Sequence, residues 1–110
     1  MLSSSIKILD CTLRDGGYYC NWDFDYSLVK KYLTAVAISK IDVVEIGFRM
    51  LPKDRFLGAY AFSTDDFLES INIPDSIDIA VMVNADELVN YDKGIDSVVN
   101  QLFKEKHKSR

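Results

Sequence analysis

The chain has 110 residues, of which 48% are apolar and 12% aromatic, and a formal net charge of −4. That is enough apolar bulk for one packed domain and too little net charge for a disordered chain. The acidic balance argues against nucleic acid as a partner. No apolar run approaches the roughly 20 residues of a membrane span, and the opening Met1 to Ser5 lacks the charged-then-apolar pattern of a secretory signal, so a cytoplasmic protein with no membrane partner is expected.

The first strand is expected over Ile6 to Leu9, ending near Asp10 and Cys11. A loop rich in Gly, Tyr and Asn follows, from Thr12 to about Phe24. Asp25 or Ser27 then caps a helix, whose apolar face is Leu28, Val29, Tyr32, Leu33, Val36 and Ala37. Val43 to Phe48 reads as a second strand, apolar except at Glu45. A loop with Pro52 and Gly58 leads to Ser63-Thr64-Asp65-Asp66, where hydroxyls and acids answer the free amides of a helix start. Phe67, Leu68 and Ile71 form the buried side of that helix. Pro74-Asp75 makes a turn, and Ile77 to Val83 is the third strand.

Strands alternating with helices at this spacing define an α/β chain with a parallel sheet. Parallel strands covered on both faces should be nearly continuous Val/Ile runs, and these are. Beyond the third strand, Asp86 to Val89 can open a short helix, while residues 95 to 104 fit a strand or a helical stripe equally well. Residues 1–98 are taken as one partial domain and 99–110 as a polar, basic, frayed tail. Cys11 and Cys20 form no C-x-x-C pair, and in a cytoplasmic chain both are expected to be free and non-catalytic.

Chemistry concentrates where the first strand ends, in Asp10-Cys11-Thr12-Leu13-Arg14-Asp15-Gly16-Gly17. In a β/α barrel the C-terminal ends of the strands face the active site, so Arg14 and Asp15 emerge there. Glu45 is a carboxylate inside an apolar strand, which is costly unless paired, and Arg14 is its natural partner across adjacent strands. A purely structural ion pair, with Asp15 capping a turn, explains the same spacing.

Asp10 to Gly16 resembles the D-x-T-L-R-D-G motif of the Asp-Arg-Glu TIM-barrel metallolyases. These include 3-hydroxy-3-methylglutaryl-CoA lyase, 4-hydroxy-2-oxovalerate aldolase, isopropylmalate synthase and pyruvate carboxyltransferase domains. Val44-Glu45-Ile46-Gly47 on the second strand and Gly16-Gly17-Tyr18-Tyr19-Cys20-Asn21-Trp22 extend the likeness, which is closest to bacterial aldolase-domain proteins. The resemblance implies the N-terminal three to four β/α units of a TIM (β/α)8 barrel. It implies a carbon–carbon lyase or aldolase acting beside the enolate of a small 2-oxo acid or acyl-CoA.

On that resemblance Asp15 ligates a divalent metal, Mg²⁺ or Mn²⁺, a hard cation suited to carboxylate oxygen. Arg14 and the metal stabilise the enolate oxygen, and Glu45 orients Arg14. Arg49, just past the second strand, is placed either to bind a substrate carboxylate or phosphate or to solvate a loop.

Two features depart from the family pattern. Gly17, Tyr18 and Tyr19 stand where relatives carry a Gln or a His, so no catalytic base is identified. The family's late-strand histidine pair has no counterpart either, since the one histidine is His107 in the tail. A TIM barrel takes about 250 residues. This segment is therefore expected to hold metal poorly and to be inactive alone. Self-association or a complementary chain would cover its sheet, as half of a split enzyme. The non-enzymatic alternative is a remnant, or a small α/β interaction module, that keeps the motif as structure.

Overall fold

A computed structural model of the chain describes residues 6–90 and 94–103. It is an α/β arrangement around a parallel sheet in the order β1-β2-β3, with β1 Leu9–Asp10, β2 Val43–Phe48 and β3 Asp78–Met82. Between the strands lie α1 Thr12–Gly16, a 3-10 turn Gly17–Tyr19, α2 Tyr26–Ile38, α3 Ala59–Phe62 and α4 Asp65–Ser70. After β3 come α5 Ala85–Asn90 and α6 Ile95–Leu102. Consecutive strands that are parallel neighbours, each joined to the next through helix, are the units with which a (β/α)8 barrel begins.

The second strand matches its expected span, and the first is shorter. The Ile8 carbonyl accepts from both Asp42 N and Val43 N at 3.0 and 3.1 Å, so the ladder starts only at Leu9 opposite Val43. Ile6 and Ile8 lie before that point and remain exposed. The third strand likewise contracts to Asp78–Met82, with Ile77 buried in a turn closed by Ile77 N to Pro74 O at 3.1 Å.

Helix α2 follows Asp25 at its N-cap position and buries Val29, Leu33 and Val36, a spacing of four and three that defines one stripe. Leu28, expected on that stripe, is 56% exposed because it lies one residue, about 100°, to the side of it. The helix stops where Lys40 turns left-handed, at φ 62°, and Ile41 N reaches back to Val36 O at 3.2 Å. That turn feeds the chain directly into β2. Val44, Ile46 and Phe48 meet α2 in a shared core with Tyr60, Leu68, Ile71 and Ile77. Each fully buried aliphatic side chain there contributes about 1.5–3 kcal/mol.

Helix α4 starts as its sequence indicates, with Thr64 Oγ1 accepting from Phe67 N at 3.1 Å. Helix α3 was not anticipated; Ala-Tyr-Ala-Phe forms one turn that ends at Ser63 in a left-handed conformation, φ 40°. Residues 95–102 are helix rather than strand, with Val98 fully buried. The boundary drawn at residue 98 therefore falls inside α6, and most of the basic tail, His107 included, lies outside the described residues. Among the described residues no helix is long and apolar enough to cross a membrane.

Candidate active site at the end of the first strand

The segment after β1, expected as open loop, is instead wound into helical turns. Asp10 Oδ1 accepts from Thr12 N at 3.0 Å, and Asp15 N reaches Cys11 O at 2.9 Å, closing the first turn of α1. Asp10 also accepts from the Tyr32 hydroxyl of α2. Burial raises the Asp10 pKa, but the bonds from Tyr32 and Thr12 outweigh it, so the carboxyl sits below its ordinary value. Burial, and then the bond to Asp10, push the Tyr32 phenol upward. This pair was missed from sequence, although an acid at a strand end and a tyrosine on the helix face were both visible.

A carboxyl whose pKa is depressed by folding adds stability above its unfolded value, and loses that contribution as pH falls through its folded value. Removing the Tyr32 hydroxyl should therefore act mainly on the charged form. Tyr32→Phe is expected to lower the denaturant midpoint at pH 7, with the gap to the parent narrowing below about pH 4. Midpoints measured from pH 2 to 7 check this; a gap independent of pH would show that Asp10 does not draw on the hydroxyl.

The turn of α1 brings Arg14 to β2. Arg14 Nε donates to Glu45 Oε1 at 2.9 Å, with the two side chains 21% and 14% exposed. The expected pairing of the intra-strand acid is present. The hydrogen bond to Glu45 leads the effects that raise the Arg14 pKa further, which keeps the guanidinium charged throughout the working range. Glu45 pairs in register with Ala80, and the β2–β3 ladder is irregular between Glu45 and Gly47. Such bulges re-aim side chains and are frequent beside active sites.

Asp15 is 72% exposed, and its Oδ1 lies 3.8 Å from Arg14 Nη1, an ionic contact beyond hydrogen-bond length. Its carboxylate suits one place on a hard divalent cation. Among the described residues no three His, Cys, Asp or Glu side chains converge to hold a metal, so they do not make a cation site by themselves.

Arg49 takes neither expected role. It is buried, with Nε and Nη2 donating to Ser63 O at 3.1 and 2.7 Å, Nη2 to Asp65 Oδ1 at 3.0 Å and Nη1 to Leu102 O at 3.3 Å. Its guanidinium also stacks over Phe103 at 4.7 Å. With all three nitrogens engaged, it ties α4 and the end of α6 to β2 and has no free fork for a substrate anion. The acid just after the Thr64 cap, Asp65, was the sequence signal for this lock.

Cys11 and Cys20 are free thiols. Tyr18 packs edge-on against Trp22 and Phe48, with ring centroids 4.8 and 6.1 Å apart, while Tyr19 is 94% exposed. Beneath them the Trp22 indole donates from Nε1 to Arg14 O at 2.9 Å. Sequence reasoning registered Trp22 only as part of a motif and missed this contact.

These elements make a parallel β/α segment with an Arg–Glu pair and an exposed aspartate after its first strand. Among solved structures the chain is similar to the "N-terminal domain of a putative aldolase" from Bacteroides vulgatus, at 34% sequence identity and a TM-score of 0.73. The match covers 90% of this chain and 31% of that one, so the chain spans under a third of the length of the structure it resembles. No protein-family model and no curated protein matches it.

Proposed function

We propose that this segment opens a divalent-metal-dependent aldolase or lyase, which breaks or makes a carbon–carbon bond beside the enolate of a 2-oxo acid or acyl-CoA. The observation that carries the reading is the state of Arg14. Its Nε is held by Glu45, while the described residues make no hydrogen bond to its two outer nitrogens. A guanidinium fixed on one edge and, among the described residues, without a hydrogen bond on the other is a preorganised donor for an oxygen that becomes negative in the transition state. A purely structural ion pair gains most when both edges are engaged, as they are at Arg49.

Asp15 stands beside that outer edge and supplies one carboxylate ligand, the remaining ligands coming from outside the described residues. The bound cation would add Lewis-acid polarisation of the same oxygen. The exposed apolar residues Ile6, Ile8 and Leu9 support a further covering surface along β1, from additional chain or from a partner.

Alone, with Mg²⁺ or Mn²⁺, the chain is expected to show no turnover. Replacing the matched part of the Bacteroides vulgatus protein with this chain tests the proposal. The chimera is expected to release pyruvate from a 4-hydroxy-2-oxo acid, or acetyl-CoA from a 3-hydroxyacyl-CoA, only with added metal. Asp15→Asn should abolish that release. Turnover that ignores both chelator and Asp15→Asn would overturn the reading.

A further inference from the structure

We propose that Trp22 is a positioning residue for Arg14. Its indole N–H fixes the carbonyl of the turn from which the guanidinium reaches Glu45. The functional value of this rests on the role given to Arg14 above; the coupling itself does not.

The last four carbonyls of an α-helix find no partner within it, and α1 is only Thr12–Gly16. Arg14 O is among them, and the Trp22 indole donates to it at 2.9 Å. The ring is 3% exposed and locked edge-on by Tyr18 and by Phe48 at 4.8 and 5.3 Å. It also lies directly against Gly17, where an added Cβ would come within 1.9 Å of Trp22 Cδ1 and 2.0 Å of Nε1. That glycine is what lets the indole reach the carbonyl.

The backbone is held in an unfavourable shape to achieve this. Asn21 and Trp22 both have φ 56°, a left-handed conformation that a bulky aromatic residue seldom adopts. Four backbone bonds enforce it. Trp22 N reaches Gly17 O at 3.0 Å, Asp23 N reaches Cys20 O at 3.1 Å, Gly58 N reaches Asn21 O at 2.8 Å, and Tyr60 N reaches Trp22 O at 3.3 Å. Strain over-determined by its surroundings is characteristic of functional sites. Core packing alone requires neither the left-handed pair nor an indole aimed at this one carbonyl. The connection between β2 and α3 thus braces the loop that holds Arg14.

The chain contains a single tryptophan, so wholesale replacement with benzothienylalanine alters position 22 alone. That analogue keeps the ring shape and puts sulfur in place of the N–H. The readout is hydrogen exchange at Arg14 Nε–H by NMR, the signal being assigned by its loss in Arg14→Lys. Exchange is expected to accelerate about fivefold to tenfold beyond any change at the Val44 and Ile46 amides, the worth of one lost hydrogen bond.

An Arg14 Nε–H rate that moves only in step with those core amides would overturn the proposal. Should the substituted chain fail to fold, coupling is read in reverse on the natural one, because linkage is reciprocal. Glu45→Gln should then speed exchange at the Trp22 indole N–H, and an unchanged rate would overturn the proposal equally. An inactive chimera, or one indifferent to Arg14, would sink the functional reading while leaving this exchange result intact.

Discussion

Glu45→Ala is expected to cost the fold about 3 kcal/mol, far more than a surface substitution. Removing one member of a buried ion pair leaves the other charge uncompensated, at a typical cost of about 3–5 kcal/mol. Arg14 keeps 21% of its side chain exposed, and Glu45 is 14% exposed, which places this pair at the lower end. Water can solvate the outer nitrogens, but Nε loses the acceptor it has among the described residues. Denaturant melts of variant and parent measure the difference directly. Coincident melts would mean that Arg14 finds another partner and that the pair does not order the α1 turn.

Gly47→Ala should be at least as damaging, for a different reason. A Cβ at Gly47 would stand 2.0 Å from the backbone oxygen of Tyr60 and 3.2 Å from Ser63 Oγ. The near atom is backbone, held in α3 and braced through Ser63 N to Ala59 O at 2.9 Å, so no side-chain rotation relieves the overlap. Either β2 or α3 must move, and both contribute to the core at Ile46 and Tyr60. Overpacking costs about 1–3 kcal/mol where side chains can adjust, and here more than 3 kcal/mol is expected. A variant whose unfolding free energy stays within about 1 kcal/mol of the parent would show that α3 is not seated on β2 as described.

The alternation of Val/Ile runs with amphipathic stretches made the parallel sheet and α2 readable, because burial on both faces leaves its mark at every strand position. Glu45 stood out for the same reason, as a charge that an apolar strand tolerates only with a partner. What was illegible depended on particular hydrogen bonds, some local and some distant in sequence. Helix α1 exists because Asp10 and Thr12 close a local turn, and nothing in the composition of Thr-Leu-Arg-Asp-Gly, or of the Gly-Tyr-Tyr turn after it, separates them from open loop. Arg49 looked like a surface cation because the residues that consume it, Ser63, Asp65 and Leu102, lie up to 53 positions away. The left-handed pair Asn21 and Trp22 carried no glycine to announce it, since two local backbone bonds and two from Gly58 and Tyr60 impose it.

The central claim is that Arg14, steadied by Glu45, lends its outer edge to a developing oxyanion. The most direct test is kcat of the chimera carrying Arg14→Lys, which keeps the charge but loses the forked donor. Thermal unfolding of the same protein is measured alongside. Loss of a preorganised oxyanion donor lowers kcat about 100-fold, and that fall is expected with KM and the melting temperature little changed. A lysine variant that turns over at the parent rate would contradict the account, leaving Arg14 and Glu45 as a structural ion pair.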